Sequence, residues 1–387
     1  MTAAMITLPK LMMIGADAHT EVHATLEKLG VTKPLIVSDN FMRESGTLTK
    51  ITSVLDDASV AWVAFTDTVP DPTTDAISTG VDILTKGDFD CLIALGGGSP
   101  IDTAKAMAVL ATHGGAMRDY KVPNQVDHSD YPIIAIPTTA GTGSEVTRFT
   151  VITDTETDEK MLCMGLAYVP QAALVDYTLT VTMPWRLTAD TGIDTLTHAI
   201  EAYVSKKQNP FTDSIAKSCM ALVSRHLRTA CNQPDNTSSR EAMMLAATQG
   251  GMAFSNASVC MVHGMSRPIG AHFHVPHGLS NAMLLPAVTA FSAPHAAGRY
   301  ADCARAMGTA DDRDNDDTAV KKLLNELTSL NQDLKVPSPK AYGIGNNTYF
   351  SLLETMAEQA LASGSPANNP RVPNAQEIVA IYEKIWE

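Results

Sequence analysis

Up to about Asp176 the chain alternates two textures, and this alternation limits the fold more than any other feature. PLIVSD, VAWVAF, CLIALGGG and YPIIAIPTT are short apolar runs that stop at Gly, Pro or Asp, as buried strands do. TTDAISTGVDILTKG and SPIDTAKAMAVLATHG lie between them and carry apolar residues at helical spacing. Strand–helix alternation predicts a parallel sheet covered by helices. After Asp176 strand signals almost vanish. PWRLTADTGIDTLTHAIEAYVS, PFTDSIAKSCMALVSRHLRTA, SREAMMLAATQGGMAFSNA and EIVAIYEKIWE read as helices. DYTLTVTMP is the last strand-like run, so the boundary is expected within Tyr177–Met183. It divides the chain into an α/β domain, residues 1–182, and an all-helical domain, residues 183–387. A chain of 387 residues is also too long for one ordinary core.

The net charge of −14 argues against nucleic acid and acidic membrane surfaces as partners. The six cysteines are scattered without a CxxC pair, a reduced and therefore cytoplasmic pattern. MTAAMITLPKLMMIG lacks the basic start and long apolar run of a signal peptide, and no segment approaches transmembrane length.

CLIALGGGSPIDTAK joins a strand, a glycine turn and a helix start. Gly96, Gly97 and Gly98 carry no Cβ to keep a phosphate from the backbone amides. Ser99 is a natural N-cap, Pro100 suits the first helical position, and Asp102 completes a capping-box-like pattern. A pyrophosphate could sit on the free N–H groups of that helix. A ligand-free turn would use the same residues, and this is not the GxGxxG fingerprint. IPTTAGTGSEVTR adds a second loop after a strand, with Thr138, Thr139 and Thr142 where a ligand could approach. Asp39 ends PLIVSD. A carboxylate there accepts ribose hydroxyls and repels a 2′-phosphate, favouring NAD over NADP. A plain helix N-cap is the other role open to it.

Asp194 and His198, in TGIDTLTHAIEAYVS, stand at i, i+4 and share a helix face. His263 and His277 lie in VHGMSRPIGAHFHVPHG, where Gly264, Pro268, Gly270, Pro276 and Gly278 are expected to interrupt the helix and let both rings turn inward. One carboxylate and three imidazoles form an N/O shell for Fe(II) or Zn(II). His272 and His274 compete within the same segment, and spacing does not exclude them.

The two metal-type segments, with GGGSPIDTAK, TTAGTGSEVT and NPR at Asn369–Arg371, resemble the iron-containing (group III) alcohol dehydrogenase family from about Leu8 to the C-terminus. The resemblance implies an N-terminal α/β nucleotide-binding domain with a C-terminal helical domain, the fold shared with dehydroquinate synthase. It implies metal on Asp194, His198, His263 and His277. It implies NAD on Asp39, Gly97, Gly98, Ser99, Asp102, Thr138, Thr139, Thr142 and Lys160, with Leu179 near the nucleotide. It also implies Fe(II), with Zn(II) as an alternative, and a homodimer or larger homo-oligomer. One position departs from the family. Members often carry His or Gln four residues after the third ligand, and this chain has Arg267, whose guanidinium cannot accept a proton. Arg267 could bind an anionic substrate group or pair with a carboxylate.

The resulting expectation is an NAD-linked dehydrogenase of small alcohols and reductase of the matching aldehydes. The metal would bind the alcohol oxygen as a Lewis acid, and hydride would pass to nicotinamide C4. Phe149 and Phe254 are expected to line the substrate pocket. Two alternatives stay open: an anionic substrate (hydroxy acid, hydroxy-sulfonate, or hydroxyacid–oxoacid transhydrogenation), and a non-redox dehydroquinate-synthase-like lyase.

Overall fold

The computed structural model describes residues 3–157 and 159–387, which form two compact units. The first, Met5–Met183, runs β1 (Leu11–Ile14), α1 (Val22–Leu29), β2 (Pro34–Val37), α2 (Asn40–Glu44), α3 (Thr47–Asp57), β3 (Val63–Phe65), α4 (Thr74–Lys86), β4 (Cys91–Gly96), α5 (Gly98–His113), β5 (Ile133–Pro137), β6 (Phe149–Asp154), β7 (Glu159–Met164) and β8 (Ala172–Val175). Among the described residues six strands pair in the order β1-β8-β5-β4-β2-β3, and every pair is parallel.

Successive side chains of a strand point to opposite faces. In β4, Leu92 and Ala94 therefore join one core with Leu35, Val37, Ile133 and Ala135. Cys91, Ile93 and Leu95 join the other, with Ile36, Ile134, Ile136 and Leu174. A strand buried on both faces must be apolar throughout, which is why CLIAL shows no polar alternation.

The chain leaves β2 outward to β3, then returns past β2 to add β4 and, beyond it, β5. The winding thus reverses between β2 and β4, and ligands of open α/β sheets gather outside the carboxyl ends of the strands at such a point. Asp39 follows β2 and the glycine turn follows β4, so the reversal brings these two features together.

Three sequence expectations need correction here. β6 and β7 form an antiparallel two-stranded sheet that the α/β pattern did not reveal. DYTLTVTMP is not a strand: Tyr177–Thr180 is a 3-10 turn, and the last strand is the fully buried AALV of β8. The N-cap of α5 is Gly97 rather than Ser99, and no side chain caps that helix. Asp102 does not turn back as a capping box. Its Oδ1 accepts from Ser144 Oγ (2.6 Å) and its Oδ2 from the Val151 N–H (2.9 Å).

Lys105, one helical turn after Ile101 in α5, explains how the second loop is held. It is fully buried, and its ammonium donates to the carbonyl oxygens of Ser144 (2.7 Å), Thr147 (3.0 Å) and Phe149 (2.8 Å). The hydroxyls of Ser144 and Thr147 lie 3.0 Å away. Burial lowers its pKa to about 8, against the opposing charges of Asp102 and Glu145.

The second unit, Pro184–Glu387 with residues 3–4, is helical. It opens with α6 (Trp185–Val204), α7 (Pro210–Asn232), α8 (Thr237–Ala257), α9 (Met261–Phe273) and α10 (His277–Ser292). α6 is buried almost without interruption from Thr188 to Val204 and forms the axis of this unit. A methyl group at Gly278 would lie 2.4 Å from the Asp190 carbonyl oxygen, so glycine lets the start of α10 press against α6. The predicted interruption around Pro268 does not occur. α9 runs through Gly264, Pro268 and Gly270, and the chain breaks only at His274–Pro276. Pro268 lacks one N–H, which costs the helix one bond without ending it.

Replacing Lys105 by Met leaves five buried oxygens without their cation. Unfolding in urea should show a loss of about 3–5 kcal/mol, the usual scale for removing one partner of a buried ionic contact. A variant as stable as the parent would remove Lys105 from this structural role.

Candidate metal centre and nucleotide turn

Asp194 and His198 lie one turn apart on α6, His263 in the first turn of α9, and His277 at the first residue of α10. Asp194 Oδ1 is 3.8 Å from His198 Nε2, 3.4 Å from His263 Nε2 and 3.8 Å from His277 Nε2. Ligands around a tetrahedral ion with bonds of about 2.1 Å stand about 3.4 Å apart. The donor set and its spacing therefore fit a divalent transition metal. Burial alone would raise Asp194, but the three imidazoles outweigh it and hold the carboxyl far below its ordinary range.

The competing histidines point elsewhere. His272 is hydrogen-bonded to Gln359, and His274 is the exposed C-cap of α9, in a left-handed conformation with φ 53°. A second cluster of metal-type donors, Asp17, His19 and Asp176, lies in the α/β unit. There His19 Nδ1 already bonds Asp176, whose other oxygen accepts from the Thr178 N–H (2.9 Å) and hydroxyl (2.7 Å).

Glu201 was not singled out from sequence, yet it organises the centre. It stands seven residues after Asp194 on the same stripe of α6 and is buried. Its Oε2 accepts from His263 Nδ1 (2.7 Å) and the Cys260 N–H (2.9 Å), and its Oε1 from the Val262 N–H (2.6 Å). A carboxylate on the start of α9 meets the positive end of the helix dipole. It also keeps a proton on His263 Nδ1, so that Nε2 is the nitrogen that would bind a metal, in exchange for its own proton. Burial works to lower His263, but Asp194 and Glu201 prevail and raise its pKa to about 9.

The centre has a closed side and an open side. Phe254 of α8 stacks on His198 with ring centroids 4.3 Å apart, and His198 stacks on His263 at 4.6 Å. The side chain of His277 is 43% exposed, whereas those of Asp194, His198 and His263 are nearly inaccessible. Arg267, at i+4 from His263, is partly buried, and no hydrogen bond or ion pair to it occurs among the described residues. Burial lowers its pKa while the Glu201 charge raises it.

In the α/β unit the two loops meet at the turn. The Thr138 N–H donates to the Gly96 carbonyl (2.9 Å). A methyl group on Gly97 would lie 3.3 Å from the Thr139 methyl, and one on Gly98 3.0 Å from that of Thr142. Glycine here makes room for the threonine loop. The Thr138 hydroxyl is buried without a partner, and the first turn of α5 has no side-chain cap. Both leave donors for a pyrophosphate. Asp39 caps α2 through Oδ1, which accepts from the Met42 N–H (2.9 Å). Its Oδ2 faces the turn, 3.4 Å from where a Cβ of Gly96 would stand. N-cap and turn-facing carboxylate are thus one residue.

Ser99 lies in the first turn of α5. Lys160, on β7, pairs with Asp71 at 3.0 Å. Leu179 is buried in the core with Ile136 and Leu174. Phe149 starts β6, where its carbonyl accepts from Lys105.

A metal quartet on a helical unit and a nucleotide turn on a parallel sheet define a metal-assisted nicotinamide oxidoreductase. Residues 9–177 match the model of the iron-containing alcohol dehydrogenases, and residues 188–386 match the C-terminal model of the same family. The chain belongs to the iron-containing alcohol dehydrogenase family, oxidoreductases acting on CH–OH donors. The NAD-dependent methanol dehydrogenase of Bacillus methanolicus is 34% identical over 377 residues, 97% of this chain and 98% of that one. The NADPH-dependent butanol dehydrogenase of Clostridium saccharobutylicum is 35% identical over 386 residues, 98% and 97% of the two chains. A crystal structure of 1,3-propanediol oxidoreductase superposes with a TM-score of 0.95 at 34% identity, covering 99% of this chain and all of that one.

Glu201→Gln keeps the shape of the side chain but removes its charge and one acceptor. Metal affinity, measured by chelator competition, should fall about 10–100-fold, the scale found for partners of metal-binding histidines. An unchanged affinity would mean that Glu201 only anchors α9.

Proposed function

We propose that this chain oxidises small primary and secondary alcohols with NAD and reduces the corresponding aldehydes, using Fe(II) held by Asp194, His198, His263 and His277. The observation that carries this reading is the convergence of those four donors from three helices, with Glu201 holding the outer nitrogen of His263. The relatives favour alcohol and aldehyde substrates over the anionic-substrate and lyase alternatives.

When bound, the ion polarises a hydroxyl or carbonyl oxygen and the nicotinamide accepts or delivers hydride. The protein's own residues do the rest. Phe254 covers the closed side and keeps water from the His198 ring, while the half-exposed His277 marks the side from which a small substrate arrives. The Gly97–Gly98 amides and the Thr138 hydroxyl are placed to take the pyrophosphate. Asp39 Oδ2 is placed to accept from ribose hydroxyls and to repel a 2′-phosphate. Thr139 and Thr142 shape the turn. Asp102 is committed to Ser144 and Val151, and acts by holding the threonine loop in place. Arg267 keeps its charge and accepts no proton, so the hydroxyl proton of the alcohol leaves to water or a ribose hydroxyl. The cytoplasmic assignment draws support from the six cysteines, all buried and none in a disulfide, and the homo-oligomer from the family resemblance. No helix among the described residues is long and apolar enough to cross a membrane.

The test is NADH formation from a panel of small alcohols and diols by protein stripped of metal and reloaded with Fe(II) or Zn(II). Turnover should require the ion and vanish in His263→Ala; turnover by the stripped protein would refute the metal role. Cofactor choice gives a second expectation. NAD should be preferred, and Asp39→Gly should raise kcat/KM with NADP relative to NAD by roughly tenfold or more, because a like-charge contact is removed. A native preference for NADP would end the role given to this carboxylate.

A further inference from the structure

The carboxyl ends of four parallel strands share one edge of the sheet, in the order β5-β4-β2-β3. Thr138 follows β5, the glycine turn closes β4, Asp39 lies two residues after β2, and Thr66 follows β3. Neighbouring strands stand about 4.8 Å apart. A dinucleotide with its pyrophosphate at the turn and its ribose at Asp39 therefore meets the end of β3 with the next group that the ribose carries. Arg43 reaches that end. It lies one helical turn after Asp39 on α2 and is exposed. Its Nη2 donates to the hydroxyl of the buried Thr66, which in turn donates to Asn40 Oδ1 (3.5 Å). The edge beneath is firm. The Ser38 N–H donates to the Phe65 carbonyl (2.9 Å) and the Ser38 hydroxyl to the Leu95 carbonyl (2.8 Å), so the ends of β2, β3 and β4 are tied together. A guanidinium has five N–H donors, and among the described residues only the Thr66 hydroxyl takes one from Arg43. No carboxylate pairs with it there, although Asp39 stands at i−4 and caps the same helix.

We propose that Arg43 binds the 2′-phosphate of NADP, which makes NADP a second, weaker cofactor of this chain beside NAD. In nucleotide-binding sheets an acid after the second strand takes a free ribose 2′-hydroxyl, and a nearby Arg accommodates a 2′-phosphate. This edge carries both. Asp39 repels the phosphate across its ribose side, while Arg43 pairs with it from the β3 side through a planar fork of N–H groups that matches phosphate oxygens. NAD stays preferred because Asp39 also accepts from the free hydroxyls of its ribose. Removal of Asp39 leaves the attraction unopposed, so the gain in NADP use expected of Asp39→Gly depends on Arg43. The inference rests on the cofactor roles given to Asp39 and the glycine turn, and the experiment separates the claims.

ADP-ribose and 2′-phospho-ADP-ribose carry the adenosine halves of NAD and NADP without the nicotinamide, so their binding needs neither metal nor turnover. Calorimetry on the full chain gives Kd for both in wild type, Arg43→Gln, Arg43→Lys, Asp39→Gly and the double variant Asp39→Gly/Arg43→Gln. Wild type should bind both, ADP-ribose more tightly. Arg43→Gln should weaken 2′-phospho-ADP-ribose about 10–100-fold, the scale of a hydrogen bond to a charged group, and leave ADP-ribose as it was. Arg43→Lys keeps the charge and should lose less. Asp39→Gly should tighten the phosphorylated ligand, and the double variant should lose that gain. Values of kcat/KM with NADP should follow the same order. Equal weakening of both ligands by Arg43→Gln would assign Arg43 to holding β3 through Thr66 and overturn the proposal. An Asp39→Gly gain that survives Arg43→Gln in full overturns it as well. So does a wild type that binds ADP-ribose but not its 2′-phosphate. If ADP-ribose itself does not bind, the nucleotide turn is wrong and the Arg43 assignment falls with it.

Discussion

The helical unit depends on one buried carboxylate. Glu201 bonds two backbone N–H groups at the start of α9 and the outer nitrogen of His263. A single side chain of α6 thereby fixes where α9 begins and which nitrogen of its histidine is free. Without it, a buried anion-accepting helix start and a buried imidazole would both need new partners, at a cost of about 1–3 kcal/mol for each unsatisfied group. Asp194 and His198 stand on the same stripe of the same helix. The geometry of the quartet is therefore referred to one rigid axis, with Gly278 letting α10 close on it.

The α/β unit uses the opposite sign for a comparable task. A buried ammonium, Lys105, gathers three carbonyls and two hydroxyls from the segment Ser144–Phe149. It sits on α5, the helix that begins at the glycine turn, so the turn and the threonine loop are tied through one element. Asp102 on the same helix adds two bonds to the same region. Both units hold irregular backbone near a site by a charged side chain from a fully packed helix.

Much of this was legible in the sequence because the signals were local. Strands β2, β4 and β5 are continuous apolar runs, and the i, i+4 pair of Asp194 and His198 marks a helix face on its own. What escaped depended on partners distant in sequence. Glu201 reads as an ordinary charge until Cys260 and Val262 are known to start a helix against it, although its place at i+7 from Asp194 on the ligand face was a usable sign. Lys105 reads as one polar residue in a helix, because its five acceptors lie some forty residues away. The β6–β7 hairpin was hidden because the apolar alternation of β6 gives way to the polar run at residues 154–157, which reads in sequence as a loop. The choice among His263, His272, His274 and His277 needed the path of α9, which runs straight through Pro268 and leaves His274 at its exposed end.

The central claim is that one divalent ion sits among Asp194, His198, His263 and His277. Anomalous diffraction at the iron edge, on crystals of the Fe(II)-loaded protein, tests it most directly. The account predicts one strong peak per chain within bonding distance of Asp194 Oδ1 and the three Nε2 atoms. A peak at Asp17, His19 and Asp176 instead, or none at the quartet in protein that carries stoichiometric iron, would contradict it.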